Sequence, residues 1–384
     1  MITRDIAYIG VDDTDLDLFE SQYIIPNGIS YNSYLIKDEK IAIMDTADNR
    51  KIDEWLGNLR TALDGRTPDY LVVQHMEPDH AGCIAEILEE SPAIKIVASA
   101  RAIQMLPQFF EGKDFSQNTI AVKEGDTLCL GEHTLQFFMA PMVHWPEVMV
   151  TYDKKDKVVF SADGFGKFGA LSHEEDWACE ARRYYFNICG KYGGPVQALL
   201  KKLATLDVEC ICPLHGPILK ENLGYYIGLY DTWSKYDVET EGVFIAYASI
   251  HGGTAAVAIV MAEILREKGA KKVSVADLSR DDMAEAIEDA FRMDKMIVAA
   301  ASYDGGVFPV MHDFLHHLQI KAYQKRRVGI IENGSWAPCA GRVMRGMLEQ
   351  MKDVEIAEPM VTILSRMKQS DRAALEALAD AILK

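Results

Sequence analysis

"VVQHMEPDHAG", residues 72–82, is the stretch that decides the fold: a strand-like apolar run gives way to His75, Glu77, Asp79 and His80, four potential metal donors within six positions. A pattern H-x-[DE]-x-[DE]-H is informative because four side chains spaced one or two positions apart can each donate nitrogen or oxygen to one centre. Working outward, three more candidates occupy the same kind of place. His144 ends "TLQFFMAPMVH", Asp163 ends "KVVFSAD" and His215 ends "VECICPLH". Residues just past strand ends converge on one edge of a layered fold, where loops on a rigid scaffold commonly carry function. A lone histidine at such a place is ordinarily hydrogen-bonded structure, so the conjunction is what points to metal. Seven donors oversupply a single catalytic ion, which takes about three protein ligands. They suit two ions roughly 3.5–4 Å apart, with Asp163, alone on its loop, as the candidate bridge. Imidazole with carboxylate suits iron, while ligand type leaves zinc and manganese open.

The surrounding pattern is mixed. Between residue 34 and about 215, β-rich runs ("YLIKDEKIAIMD", "YLVVQH", "IKIVAS", "VMVTYD") alternate with helical stretches such as "NRKIDEWLGNLRTAL", "AGCIAEILEE" and "GPVQALLKKLATL". From about 245 the rhythm becomes regular, with strands "VFIAYAS", "KVSVADL", "KMIVAAAS", "RVGIIEN" and "VEIAEPMVTI" each followed by an amphipathic helix. Five βα units predict a doubly wound parallel sheet. The expected domains are 1–240, including a connector from about 217 ("LKENLGYYIGLYDTWSKYDVETEG"), and 241–384.

Length and composition agree with two soluble domains: 384 residues, 49% hydrophobic and 26% charged. The net charge of −18 disfavours nucleic acid, which needs clustered Lys and Arg. No apolar run reaches the roughly 20 residues that span a bilayer, and the start reads as no signal peptide, so a cytoplasmic location away from membranes is expected. Seven cysteines without a C-x-x-C pair fit reduced thiols and exclude a rubredoxin-type site within this chain. Cys210 and Cys212 shortly precede His215, but strand alternation puts both on one buried face, outside the metal site.

In the second half, "YASIHGGTAAVA" sets Ser249, His251, Gly252, Gly253 and Thr254 between the first strand of the parallel sheet and its first helix. Small residues there let backbone N–H groups and the helix dipole meet an anion, which makes a phosphate cradle. Neither the P-loop G-K-[ST] nor G-x-G-x-x-G is present, which disfavours ATP and NAD. The cradle resembles the flavodoxin phosphate loop, with His251 and Gly253 as departures. On that resemblance "ASYDGGVFP" and "ENGSWAP" flank the flavin ring of FMN, through Ser302, Tyr303, Asp304 and Gly305 on one side and Asn333, Ser335 and Trp336 on the other. Trp336 reads equally as a flavin-stacking ring or a packing anchor.

The set His75, Glu77, Asp79, His80, His144, Asp163 and His215 resembles the metallo-β-lactamase fold, whose hydrolases use H-x-H-x-D-H; here Glu77 stands at the second histidine. With "ISYNSYLI", "HWPEVMVTY" and "LHGPI", that exchange makes nearly the whole chain similar to the flavodiiron proteins. The resemblance implies a metallo-β-lactamase-like αββα sandwich followed by a flavodoxin-like domain, with two iron ions and FMN as cofactors. It implies that His75, Glu77 and His144 hold one iron, that Asp79, His80 and His215 hold the other, and that Asp163 bridges them. The implied activity is reduction of dioxygen to water, of nitric oxide to nitrous oxide, or both. Electrons would come from an external donor such as rubredoxin or a reduced deazaflavin coenzyme, in a head-to-tail homodimer or tetramer. Tyr31, Tyr34 and Tyr192 are candidate pocket residues. The alternative is a two-zinc hydrolase with an attached flavodoxin-like domain.

Overall fold

The run before His75 is the strand Tyr70–Val73, held inside a six-stranded sheet in a computed structural model that describes residues 2–384. Its order is Ile6–Tyr8, Tyr34–Lys37, Ile41–Met44, Tyr70–Val73, Lys95–Ser99, Thr119–Val122. The first three strands pair antiparallel and the rest parallel. A five-stranded sheet runs Thr127–Cys129, Thr134–Met139, Met149–Asp153, Val158–Phe160, Cys210–Cys212, antiparallel except for its last pair. Side-chain alternation puts Ile36, Met44, Val72 and Val97 of one sheet in the same buried cluster as Leu135, Phe137, Met149 and Phe160 of the other. Cys210 and Cys212 belong to that cluster, and they, like Cys83, Cys129 and Cys339, are free thiols. On the opposite face of the first sheet Leu35, Ile43, Leu71 and Ile96 are buried as well. A sheet buried on both faces needs a covering layer, and the helix Ile52–Leu63 offers the matching stripe Trp55, Leu56, Leu59 and Leu63. This is the metallo-β-lactamase-like sandwich.

The second sheet system is the flavodoxin-like one. Strands Val273–Asp277, Thr240–Ala248, Met293–Tyr303, Arg327–Asn333 and Glu355–Ile356 follow in that order and pair parallel, so the first strand in sequence is second in space. Helices Gly253–Glu267 and Arg372–Ile382 pack on Val243, Ile245, Ile297, Ala299 and Ile331. The compact units comprise Met1–Tyr185 with Gly194–Asp231, and Phe186–Gly193 with Thr232–Lys384. The division therefore falls ahead of the expected residue 240. Among the described residues no helix is long and apolar enough to cross a membrane.

Local differences from the sequence reading have physical causes. "YLIKDEKIAIMD" is a hairpin, Tyr34–Lys37 and Ile41–Met44, turning at its charged centre. "VEIAEPMVTI" is two short strands, Glu355–Ile356 and Val361–Ile363, because Pro359 between them has no N–H to give a ladder. The connector contains a helix, Leu223–Ser234, whose aromatics are too dispersed to mark one face, and Trp177–Ile188 is a further helix that the periodicity did not mark.

One buried ion pair ties this sandwich together. His133 is fully buried, with Nδ1 3.0 Å from Asp153 Oδ2 and Nε2 3.5 Å from Asp5 Oδ2. Burial disfavours the imidazolium, but the hydrogen bond to Asp153 prevails and raises its pKa. A raised folded pKa gives stability that is complete below the unfolded value of about 6.5 and is lost as pH climbs through the folded value. His133→Gln is expected to lower the unfolding free energy by about 2 kcal/mol below pH ~6.5. In urea titrations against pH, the gap to the parent protein should close with rising pH; a gap independent of pH contradicts this account.

Candidate functional site

Each expected metal donor lies just beyond a strand. After Tyr70–Val73 come His75 and Glu77, and then the single turn Pro78–Ala81, opened by proline at its first position, which carries Asp79 and His80. His144 follows Thr134–Met139, Asp163 follows Val158–Phe160, and His215 follows Cys210–Cys212. These loops bring all seven side chains together in two groups, His75, Glu77, His144 and Asp163 in one, and Asp79, His80 and His215 in the other.

In the first group His75 Nε2 lies 3.1 Å from Glu77 Oε2 and 3.4 Å from His144 Nε2, and His144 Nε2 lies 3.0 Å from Glu77 Oε2. In the second, Asp79 Oδ2 lies 3.3 Å from His80 Nε2 and 3.2 Å from His215 Nε2. Asp163 faces both. Its Oδ2 is 3.2 Å from His75 Nε2 and 3.3 Å from His144 Nε2, while its Oδ1 is 3.2 Å from His80 Nε2 and 3.7 Å from His215 Nε2.

The electrostatics ask for cations here. Both oxygens of Asp79 and of Asp163, and Nε2 of His80 and His215, are buried without a hydrogen-bond partner. Such atoms are rare unless an ion or water meets them. Burial pushes the Asp79 carboxyl up to about 7, with Glu77 and Asp163 adding to the rise. Burial disfavours a charged His144, yet Asp163 and Glu77 raise it to about 9. His215, where burial dominates, is lowered. Anionic oxygens and ring nitrogens crowded in low dielectric therefore draw positive charge to the places where two metal ions fit.

The side chains that orient these donors were less visible in the sequence. Glu147, fully buried, accepts from His75 Nδ1 at 2.8 Å and from the Met76 N–H at 3.0 Å. The Ser30 carbonyl lies 2.7 Å from His215 Nδ1. Both contacts turn Nε2 inward, as metal-binding histidines require. Asp45 accepts from the Gln74 backbone at 2.7 Å and side chain at 2.9 Å, which fixes the exit of the strand before His75. Glu147 stands in the quoted "HWPEVMVTY", but its partner is 72 positions away. Of the candidate pocket tyrosines, Tyr31 sits with its ring 6.2 Å from that of His215. Tyr34 belongs instead to the core between the sheets, and its hydroxyl donates to the Pro213 carbonyl at 2.5 Å. Tyr192 groups with the second unit.

In that unit a cavity of about 610 Å³ opens at the carboxyl ends of the parallel strands. Every expected FMN-binding residue lines it except Gly252, which caps the helix Gly253–Glu267 in the left-handed region at φ +81°. That helix start has no side-chain cap, the Ser249 hydroxyl is buried without a partner, and the Ser365 carbonyl leaves no room for a Cβ on Gly253. An uncapped amino terminus, a free hydroxyl and close backbone fit a phosphate group. Two expected contacts have structural duties. The Ser302 hydroxyl accepts from the backbone of Cys339 and Ala340 at 2.8 and 3.1 Å. The Asn333 amide pairs with the Ser365 backbone at 3.0 Å in both directions. Trp336 is 91% exposed, so it is no packing anchor within this unit. Ser365 and Arg366, on a loop the sequence reading passed over, also line the cavity.

A metallo-β-lactamase-like donor cluster joined to a flavodoxin-like cavity defines the class, and comparisons agree. Residues 29–216 match the ODP family beta lactamase model. The chain is 30% identical to the Uncharacterized protein MJ0732 of Methanocaldococcus jannaschii over 91% of this chain and 89% of that protein. It is 28% identical to the anaerobic nitric oxide reductase flavorubredoxin of Escherichia coli over 88% and 72%. The rubredoxin oxygen:oxidoreductase of Desulfovibrio gigas superposes with a TM-score of 0.93 at 26% identity, covering 100% of this chain and 97% of that one. The cyanobacterial putative diflavin flavoproteins are longer, and the chain spans 64% of the Synechocystis one. The chain belongs to the flavodiiron protein family, oxidoreductases whose cofactors are a di-iron centre and FMN.

Two substitutions separate the sites. Asp163→Asn removes the charge facing both donor groups, so bound metal by elemental analysis should fall from about two ions to one or fewer while flavin is retained. Gly253→Ala should weaken FMN binding by about tenfold in flavin-fluorescence titrations and leave metal content unchanged.

Proposed function

We propose that this protein is a flavodiiron reductase that converts dioxygen to water, nitric oxide to nitrous oxide, or both, with electrons relayed through FMN from an external carrier. The observation that carries the reading is Glu77: a carboxylate, within 3.1 Å of both His75 and His144, stands where a hydrolase of this fold has a third imidazole. His75, Glu77 and His144 would hold one iron and Asp79, His80 and His215 the other, with Asp163 facing both groups. When bound, the two irons supply reversible electron storage and open positions for a small oxidant.

The chain's own residues do the rest. Glu147 and the Ser30 carbonyl hold His75 and His215 in the tautomers that present Nε2. In the donor set, side-chain exposure is confined to Glu77 at 14% and to Asp79 and His144 at 8% each, so a small molecule meets the site from that side. In the second unit, Ser249, the loop 251–254 and the helix amino terminus take the FMN phosphate, and Tyr303, Asp304, Gly305, Ser335 and Trp336 surround the ring. Ser302 and Asn333 brace the loops. The donor is a rubredoxin or a reduced deazaflavin coenzyme, and a head-to-tail homo-oligomer in the cytoplasm completes the proposal.

Anaerobically purified protein should carry about two irons and one FMN per chain. After reduction through each donor, it should consume dioxygen or nitric oxide at an electrode. Two zinc ions, no flavin absorbance and no gas consumption would favour the hydrolase instead.

A further inference from the structure

A short hairpin stands over the donor cluster. Strands Leu18–Phe19 and Tyr23–Ile24 pair antiparallel, and the turn between them has Glu20 at φ +49° and Ser21 at φ +57°. Two successive non-glycine residues in the left-handed region are unusual in a turn where Asn-Gly fits without strain. A conformation of this kind persists where the surroundings fix it, and it clusters at binding sites. Phe19 fixes the hairpin on the metal centre. Its ring meets His215 edge-on at 5.5 Å and also packs on Phe168 at 5.7 Å.

The next residue, Glu20, is exposed at the tip, yet its carboxyl is desolvated. Its charged neighbours are Glu77, His144 and Asp79, the same three donors that retain exposure while His75, His80, Asp163 and His215 have none. Gln22 Nε2 donates to Glu20 Oε2 at 3.2 Å, which holds the carboxyl over the turn. Burial and Glu77 raise the Glu20 carboxyl to about 7, with His144 acting against them.

We propose that Glu20 is a charge gate at the open side of the metal centre: it disfavours anionic ligands and leaves neutral diatomic molecules unhindered. The gate deepens the reductase reading and rests on it. Dioxygen and nitric oxide carry no charge, whereas phosphodiesters and many other hydrolase substrates are anions. A carboxylate at the entrance thus adds selectivity that the metals alone do not provide.

The test is azide binding to the oxidised, iron-loaded holoprotein at about pH 8, followed by its visible absorption, and nitric oxide binding to the reduced protein. Glu20→Gln, nearly isosteric and neutral, should tighten azide by about tenfold at low ionic strength, and this gain should shrink in high salt. Glu20→Lys should tighten azide further, and Glu20→Asp should stay near the parent value. Nitric oxide affinity and iron content should be unchanged in all three. Equal azide affinity in the parent, Gln and Lys forms overturns the gate, as does a parallel shift in azide and nitric oxide affinity. Failure of the parent protein to bind iron overturns the reductase reading itself and is seen in the metal analysis before any azide is added.

Discussion

The structure turns on Asp163. One carboxylate, fully buried, presents its two oxygens to two clusters of imidazole and carboxylate, with no hydrogen bond to satisfy it. Burying an unpaired carboxylate costs several kcal/mol or more, so this position is tenable only with opposing charge on both sides. The surrounding scaffold is arranged to supply it. Two sheets packed face to face hold their strand ends in one place, and the outer contacts from Glu147, Ser30 and Asp45 remove the rotational freedom that would otherwise let donors turn toward water.

The second unit solves a different problem with the same economy. A phosphate is met by backbone N–H groups, and Gly252 and Gly253 at the start of helix Gly253–Glu267 leave that backbone uncovered beside Ile250 and His251. The loops lining the rest of the cavity carry bulkier side chains, and the Ser302 hydroxyl and the Asn333 amide are committed to neighbouring backbone. Ser302 caps the helix Ala340–Leu348, and Asn333 ties the fourth strand's loop to Ser365. These bonds fix the shape of the cavity before any ligand arrives, which reduces the ordering that binding would otherwise require.

Much of this was legible in the residues because the informative groups are local. His75 through His80 announce themselves within six positions, and strand ends can be read from alternation, so His144, Asp163 and His215 could be expected at the same edge, where the structure brings them together. What escaped depends on long-range partners. Glu147 is an unremarkable acid until His75 is beside it, Tyr34 looks like a pocket residue until two sheets close over it, and Ser365 gains its place only once Asn333 and Gly253 lie against it. Helix Trp177–Ile188 was hidden by a run of aromatics and charges that marks no single face. Glu20 was hidden for another reason: its role rests on a positive-φ turn that its sequence does not advertise.

Glu77 illustrates how a single exchange redirects a site. With Asp79 and Asp163 it gives the donor set three carboxylates against four imidazoles. Two divalent ions in such a site leave a net charge of about +1, and a third imidazole in place of Glu77 would leave about +2. Each oxidation adds one more positive charge to the same low-dielectric volume, where like charges repel far more strongly than in water. The carboxylate absorbs part of that increase and so favours the higher oxidation state, which a redox-inert zinc site has no use for. The same negative charge would weaken the binding of an anionic substrate at the open coordination positions. One substitution therefore promotes electron transfer and demotes hydrolysis, and Glu20 at the entrance extends the second effect outward from the metal ions.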